Sequence, residues 1–339
     1  MRHINYLKDK KIVKFDEFKT KATGKYYTHN IISTGIFESI KSYIDKFPNS
    51  NLKIIDPFAG DGRLILGLLE SLPDKSLNKF DFEIYFLDIE YKDNFSISKN
   101  INNLKKAKNI NIKINIITKD SFNYLLKYNN YFDIIITNPP WEILKPDSRE
   151  LKNLEQKVKI DYKINLKKYD DFLAKNYPKS QPKKKFAGWG TNLSRVGAEL
   201  CFKICKDSGF IAMVIPASFF SDIQSEKIRN EFVKNGEFLQ ISYFPAESKL
   251  FGKADVISSS FLYKKENKQT SQSKVLIFNK ELKVMSSNLI DIRKHNYKST
   301  IPITINKKSL NILKKLQNKF PSWEKLENEH NEIWSGREI

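Results

Sequence analysis

Cysteine, histidine and methionine are scarce in this chain: two, four and three of 339 residues. Two cysteines cannot build a disulfide framework. Cys201 and Cys205, spaced i,i+4 on a predicted helix, read as structural side chains of a protein kept in a reducing compartment. The histidines are scattered and no Cys/His spacing occurs, so no metal site is expected. No run reaches the roughly 18 apolar residues of a membrane span. The start, Met1-Arg2-His3-Ile4-Asn5-Tyr6, lacks the apolar region of an export signal. Internal repeats are absent as well. These absences lead to the expectation of a cytoplasmic protein with neither a membrane nor a metal partner.

Acidic residues are also in short supply: 39 Asp and Glu against 59 Lys and Arg, a formal charge of +20. Such an excess favours a polyanionic partner, because each cation set on a phosphate releases counterions. Part of it is compositional background, since the chain is rich in Lys, Asn and Ile throughout. Hydrophobic residues make up 40% and aromatics 13%, enough for a substantial core. The length suits one large domain, or a domain with an extension.

Periodicity predicts strands alternating with helices. A helical pattern over 31–44 follows Tyr26-Tyr27-Thr28-His29-Asn30, with Thr28 or Asn30 as candidate caps. Strands are predicted at 51–55, 82–87, 112–117 and 132–137, and helices at 64–72 and 96–106. Residues 145–190 break the rhythm, with many lysines and few apolar positions, and read as an insertion. A helix at 193–205 and a strand at 210–215 resume it, followed by strands at 239–244 and 256–263. The polar stretch 265–274 reads as a domain edge, and two strand-like pieces and a helix at 309–316 lie beyond it. The order implies an α/β fold with a doubly wound, mainly parallel sheet and ligands at the strands' carboxyl ends.

The densest chemical signal is Asn138-Pro139-Pro140-Trp141, after the apolar run 132–137. The prolines remove two N–H donors and fix φ. An amide side chain, outward carbonyls and an indole face remain, a set suited to a planar ring bearing an amino group. Three upstream strand ends describe a second ligand. Asp56-Pro57-Phe58-Ala59-Gly60-Asp61-Gly62 lets backbone approach closely, without the Lys-Ser/Thr of a P-loop or the spacing of a dinucleotide fingerprint. Asp88, ahead of Ile89 and Glu90, can accept from a ribose diol, and Asp120, ahead of Ser121 and Phe122, from an adenine amino group. An adenosine-bearing molecule without a phosphate grip fits this pocket, and S-adenosylmethionine fits best.

Taken in order, these motifs resemble those of S-adenosylmethionine-dependent amino-methyltransferases. More narrowly, the chain resembles the gamma-type N6-adenine DNA methyltransferases of bacterial restriction–modification systems, of the Eco57I-like kind. Tyr27-Thr28 is similar to the family's N-terminal motif that holds the methionine end. Residues 209–220 are similar to its strand after the catalytic loop. The resemblance covers roughly residues 20–265. It implies a seven-stranded, Rossmann-like class I methyltransferase sheet. It also implies S-adenosylmethionine held by Tyr27, Thr28, Asp56, Phe58, Gly60, Gly62, Asp88, Ile89, Asp120, Ser121, Phe122 and Asn138. Catalysis is implied at Asn138, Pro139, Pro140 and Trp141, on an adenine in double-stranded DNA flipped out of its helix and stacked between Trp141 and Phe251.

Each assignment has a plainer alternative. Asn138 could simply form a turn, Trp141 could pack in the core, and Thr28 and Asp120 could cap helices. Phe244 rivals Phe251, and Lys183, Lys184 and Lys185 could be a solvated loop rather than DNA-backbone contacts. Two departures from the family stand out. Relatives often carry an aromatic near the position of Gly197 that closes the adenine slot, and here that wall is unassigned. The family reads DNA sequence with a region after the catalytic one. Residues 1–265 are thus expected to form the catalytic domain, with 145–190 an insertion that could face DNA. Residues 266–339 are expected to be a linker and the opening of a target-recognition region, at Trp334-Ser335-Gly336-Arg337-Glu338, truncated at Ile339 or completed by a separate specificity or nuclease subunit. No nuclease motif of the Pro-Asp…Asp/Glu-x-Lys type stands out in the N-terminal segment. RNA adenine or protein glutamine methylation, or a catalytically silent DNA-binding subunit, are the competing functions.

Overall fold

The computed structural model describes residues 28–48, 50–89, 94–146, 155–182, 190–251, 256–267, 272–292, 300–304 and 307–321, with 325, 326 and 329. Tyr27, Glu90, Lys183, Lys184, Lys185 and the segment 334–338 lie outside them. The strands are β1 (Asn51–Asp56), β2 (Asp81–Asp88), β3 (Ile112–Thr118), β4 (Phe132–Thr137), β5 (Ile143–Leu144), β6 (Thr191–Asn192), β7 (Cys205–Pro216), β8 (Gly236–Phe244), β9 (Ser258–Lys265), β10 (Gln272–Phe278) and β11 (Val284–Asp291). The helices are α1 (Asn30–Ile44), α2 (Arg63–Ser71), α3 (Asp74–Lys79), α4 (Asn94–Lys108), α5 (Ser121–Tyr124), α6 (Gln156–Asn176), α7 (Leu193–Ile204), α8 (Glu226–Lys234) and α9 (Lys307–Lys319).

Among the described residues the main sheet has nine strands in the order β11-β10-β8-β9-β7-β4-β1-β2-β3. β1 pairs in parallel with β2 on one side and β4 on the other, so the strand order reverses between β1 and β4. β9 runs antiparallel between β7 and β8. The seven strands from β3 to β8 are the expected class I methyltransferase sheet. The strands at 272–291 extend it: β10 joins β8 in parallel and β11 closes the edge, so the polar stretch after Lys264 interrupts the chain without ending the sheet.

Both faces of the sheet are covered, which is why consecutive residues are apolar at Ile54-Ile55 in β1 and Ile134-Ile135-Ile136 in β4. Ile54, Ile84, Ile134, Ala212 and Val214 pack with α1, α2 and α4. Their neighbours Ile55, Tyr85, Ile135, Ile211 and Met213 pack with α6, α7 and α8. At the start of α1 the cap is neither Thr28 nor Asn30: His29 accepts from the Ile31 N–H through its ring nitrogen.

The expected insertion contains a long helix. Val158, Tyr162, Leu166, Tyr169 and Leu173 recur at helical spacing along α6, are buried, and join the core beside α7. Lysines between them dilute the pattern, so its periodicity is faint in the sequence. α8 is likewise hidden by charge, with Ile228, Phe232 and Val233 its buried apolar residues.

Candidate active site

The carboxyl ends of β1 and β4 meet at the reversal of strand order, where open α/β sheets bind ligands. Thr137, the last residue of β4, donates its hydroxyl to Asp56 Oδ1 at 2.6 Å. The Phe58 N–H donates to the same oxygen at 3.0 Å. Asp56 is buried, and burial pushes its carboxyl up to about 7, against the pull of these two hydrogen bonds. The first turn is therefore tied at its root to the strand that carries Asn138.

The same turn is held to β2. Ala59 donates to the Leu87 carbonyl at 2.8 Å and Gly60 to Asp88 Oδ2 at 3.1 Å. Gly60 has φ +54°, and a Cβ there would meet nothing within 4 Å, so the turn's backbone faces open space. Gly62, at φ +79°, starts α2, and a Cβ on it would crowd Phe86 and Ile97. Ile89 follows Asp88 and is partly buried.

Asp120 caps α5, accepting from the Phe122 N–H at 3.1 Å. Its Oδ1 also accepts the Tyr169 hydroxyl at 3.1 Å. Ser121 Oγ donates to the Pro57 carbonyl, and the rings of Phe122 and Phe58 lie 5.1 Å apart. The turns after β1 and β3 are thereby joined directly. The capping role of Asp120 is realised, and it leaves the carboxylate at the third strand end, beside the two others.

At the tetrapeptide, Asn138 donates through Nδ2 to Thr28 Oγ1 at 3.2 Å. Pro139 and Pro140 are buried. Trp141 is partly buried, and its indole Nε1 is enclosed without a hydrogen-bond partner among the described residues. Its ring meets Phe251 edge-on, with centroids 4.7 Å apart at 63°. Phe244, the rival aromatic, stacks instead on Phe278. Just after Trp141, the Glu142 carbonyl accepts from Leu193 N–H and β5 pairs with β6, so the tetrapeptide is pinned to the start of α7.

Three contributors are not evident from the motifs. Gly197 sits on α7 where a Cβ would fall 2.6 Å from Pro139 Cβ and 3.3 Å from its Cγ, so only glycine lets the helix pack on the tetrapeptide. A glycine within an otherwise good helix was the available signal. Thr137 adjoins Asn138, yet nothing in the sequence assigns it to Asp56. Tyr177 donates to the Phe122 carbonyl at 2.6 Å from the end of the insertion. Cys201 and Cys205 are free and buried.

The donor set fits an adenosyl cofactor: three carboxylates head adjacent strands, and a backbone turn facing open space lies between them. The model of the N-6 DNA Methylase family matches residues 10–318. Among solved structures, a DrdV–DNA complex is similar over 90% of this chain and 33% of its own, with 12% identity and a TM-score of 0.63. A nuclease-deletion mutant of the Type ISP restriction–modification enzyme LlaGI, bound to a DNA substrate mimic, matches over 85% of this chain and 28% of its own, with 14% identity and a TM-score of 0.60. The modification subunit of a putative type I restriction enzyme from Vibrio vulnificus YJ016 matches over 90% and 56%, with 15% identity and a TM-score of 0.51. The chain thus spans about a third of the length of the first two.

Proposed function

We propose that this chain, which belongs to the N-6 DNA methylase family, transfers a methyl group from S-adenosylmethionine to the N6 amino group of adenine in DNA. The setting we propose is the modification arm of a restriction–modification or phage-defence system. The observation that carries the reading is the pairing of Asn138 with Thr28 at the same carboxyl-end face of the sheet that holds Asp56, Asp88 and Asp120.

S-adenosylmethionine supplies, when bound, an electrophilic methyl group. Asp88, the turn from Asp56 to Gly62, and the Asp120–Phe122 segment would hold it, with Thr28 and, outside the described residues, Tyr27 toward its methionine end. With Nδ2 committed to Thr28, the Asn138 amide turns its oxygen the other way, as an acceptor for an amino proton. The Pro139 carbonyl would accept the second. Two acceptors localise the nitrogen lone pair and stabilise the positive charge that grows on it during attack. Trp141 would stack on the base once it has left the duplex, with Phe251 closing the other side. Pro139, Pro140 and Gly197 keep these groups from moving, which supports reaction by positioning.

The similar chains are longer, and two are described as bound to DNA or a DNA mimic. We extend the reading to double-stranded DNA as substrate, and to a further specificity or nuclease unit as partner. The test is label transfer from S-adenosylmethionine to duplex DNA, rRNA and protein, with wild type beside Asn138→Ala. N6-methyladenine formed in DNA by wild type and not by the variant supports the reading. Label confined to RNA or protein would overturn it.

A further inference from the structure

We propose that Tyr169, on the helix of the inserted segment, is a positioning residue for the adenine end of the cofactor and acts through Asp120. The proposal rests on the functional reading above. It goes beyond it in giving the insertion a part in cofactor recognition.

The helix α6 lies far from β3 in sequence, yet two of the insertion's tyrosines grip the turn that follows β3. Tyr169 Oη donates to Asp120 Oδ1 at 3.1 Å, and Tyr177 Oη donates to the Phe122 carbonyl at 2.6 Å. Both side chains are buried, at 5% and 0% exposure. The Tyr169 ring packs in the core and lies parallel to Phe172, at 6.0 Å and 11°. A phenylalanine would serve that packing equally well, so what the hydroxyl adds is its bond to Asp120. Two donors, Tyr169 Oη and the Phe122 N–H, converge on one carboxylate oxygen, Oδ1. Two bonds at one oxygen fix the plane of the carboxylate and the direction of Oδ2. A rigid acceptor at the third strand end suits a ligand that offers an amino group. Tyr177 differs: it holds backbone, and so supports the turn without orienting the acceptor.

The test is calorimetric titration of the full chain with S-adenosylhomocysteine and with its inosyl analogue, which carries a carbonyl oxygen where the adenine has its amino group. Wild type should prefer the adenosyl ligand. Tyr169→Phe should weaken adenosyl binding about 2- to 10-fold, as loss of one hydrogen bond does, and leave inosyl binding nearly unchanged, so that the preference shrinks. Tyr177→Phe should lower the melting temperature without altering the preference. Asp120→Ala should abolish the preference, and adding Tyr169→Phe to it should then change nothing further. Equal weakening of both ligands in Tyr169→Phe means a merely structural role and overturns the proposal. So does an unchanged preference in either Tyr169→Phe or Asp120→Ala. If wild type binds neither ligand, it is the cofactor reading itself that fails.

Discussion

Asn138 and Thr28, 110 positions apart, are joined by a 3.2 Å hydrogen bond from the amide nitrogen to the threonine hydroxyl. The bond sets which end of the amide faces Thr28, and so which end is turned toward a substrate. Replacing Thr28 by Val keeps the shape and removes the acceptor. A neutral hydrogen bond contributes about 0.5–1.5 kcal/mol. Thr28→Val should therefore lower kcat by roughly 2- to 10-fold with little change in melting temperature. Steady-state methylation of duplex DNA checks this, and an unchanged kcat would remove Thr28 from the catalytic arrangement.

A comparable bond supports the site from below. Thr137→Val removes the hydroxyl that donates to Asp56 and leaves a buried acceptor short of a partner. The expected loss is about 1–3 kcal/mol of stability, measured by urea denaturation. Thr137→Ser, which keeps the donor, should recover most of it.

Asp56 also predicts a pH dependence. Its carboxyl is pushed up to about 7 from an ordinary value of 3.8, chiefly by burial. The folded state therefore favours the protonated form. Stability from this group is fully present below its unfolded pKa, falls as pH rises through the window up to about 7, and levels off above it. Asp56→Asn does not ionise, so its stability relative to wild type should climb across the same window. A difference in melting temperature that stays flat from pH 5 to pH 8 (about the window's upper half and beyond) would contradict it.

Gly197→Ala tests the contact between α7 and the tetrapeptide. The added methyl would sit 2.6 Å from Pro139 Cβ, closer than real carbons approach. Relief requires a shift of the helix or of the Asn138 turn, at about 1–3 kcal/mol. Activity should fall more steeply than stability, because a misplaced nucleophile site costs up to about 100-fold. Alanine is a better helix former than glycine, so a loss cannot come from helix propensity.

The rings of Trp141 and Phe251 touch edge-on at 4.7 Å. A base sandwiched between two rings needs about 7 Å, twice a van der Waals contact. One ring must move for a flipped adenine to enter with a face on each side. Replacing the target adenine by 2-aminopurine reports entry through its fluorescence. Trp141→Ala should lose the quenched, stacked signal, and Phe251→Ala should speed its appearance. Equal kinetics in wild type and Phe251→Ala would show that the contact is no barrier.

Much of this site was legible because its residues are contiguous. Asn138–Trp141 and Asp56–Gly62 are short segments that follow β-branched runs, and strand ends in α/β proteins point at ligands. The other contributors were hidden by distance or dilution. The lysines of α6 masked a helical stripe, so Tyr169 and Tyr177 looked like parts of a polar insertion. The added strands at 272–291 were visible as strands, but their pairing with β8 depends on a sheet edge that local pattern does not describe.

The sequence by itself determined the alternation of strands and helices, the largely apolar run of β4, and the types of group at each strand end. These follow from local periodicity, proline geometry and side-chain chemistry, which need no knowledge of distant partners. Only the tertiary structure decided that Thr28 holds Asn138, that Thr137 holds Asp56, that Phe251 rather than Phe244 faces Trp141, and that the insertion reaches Asp120. Each is a contact between segments far apart in the chain, set by strand order and helix packing. No window of sequence contains that information.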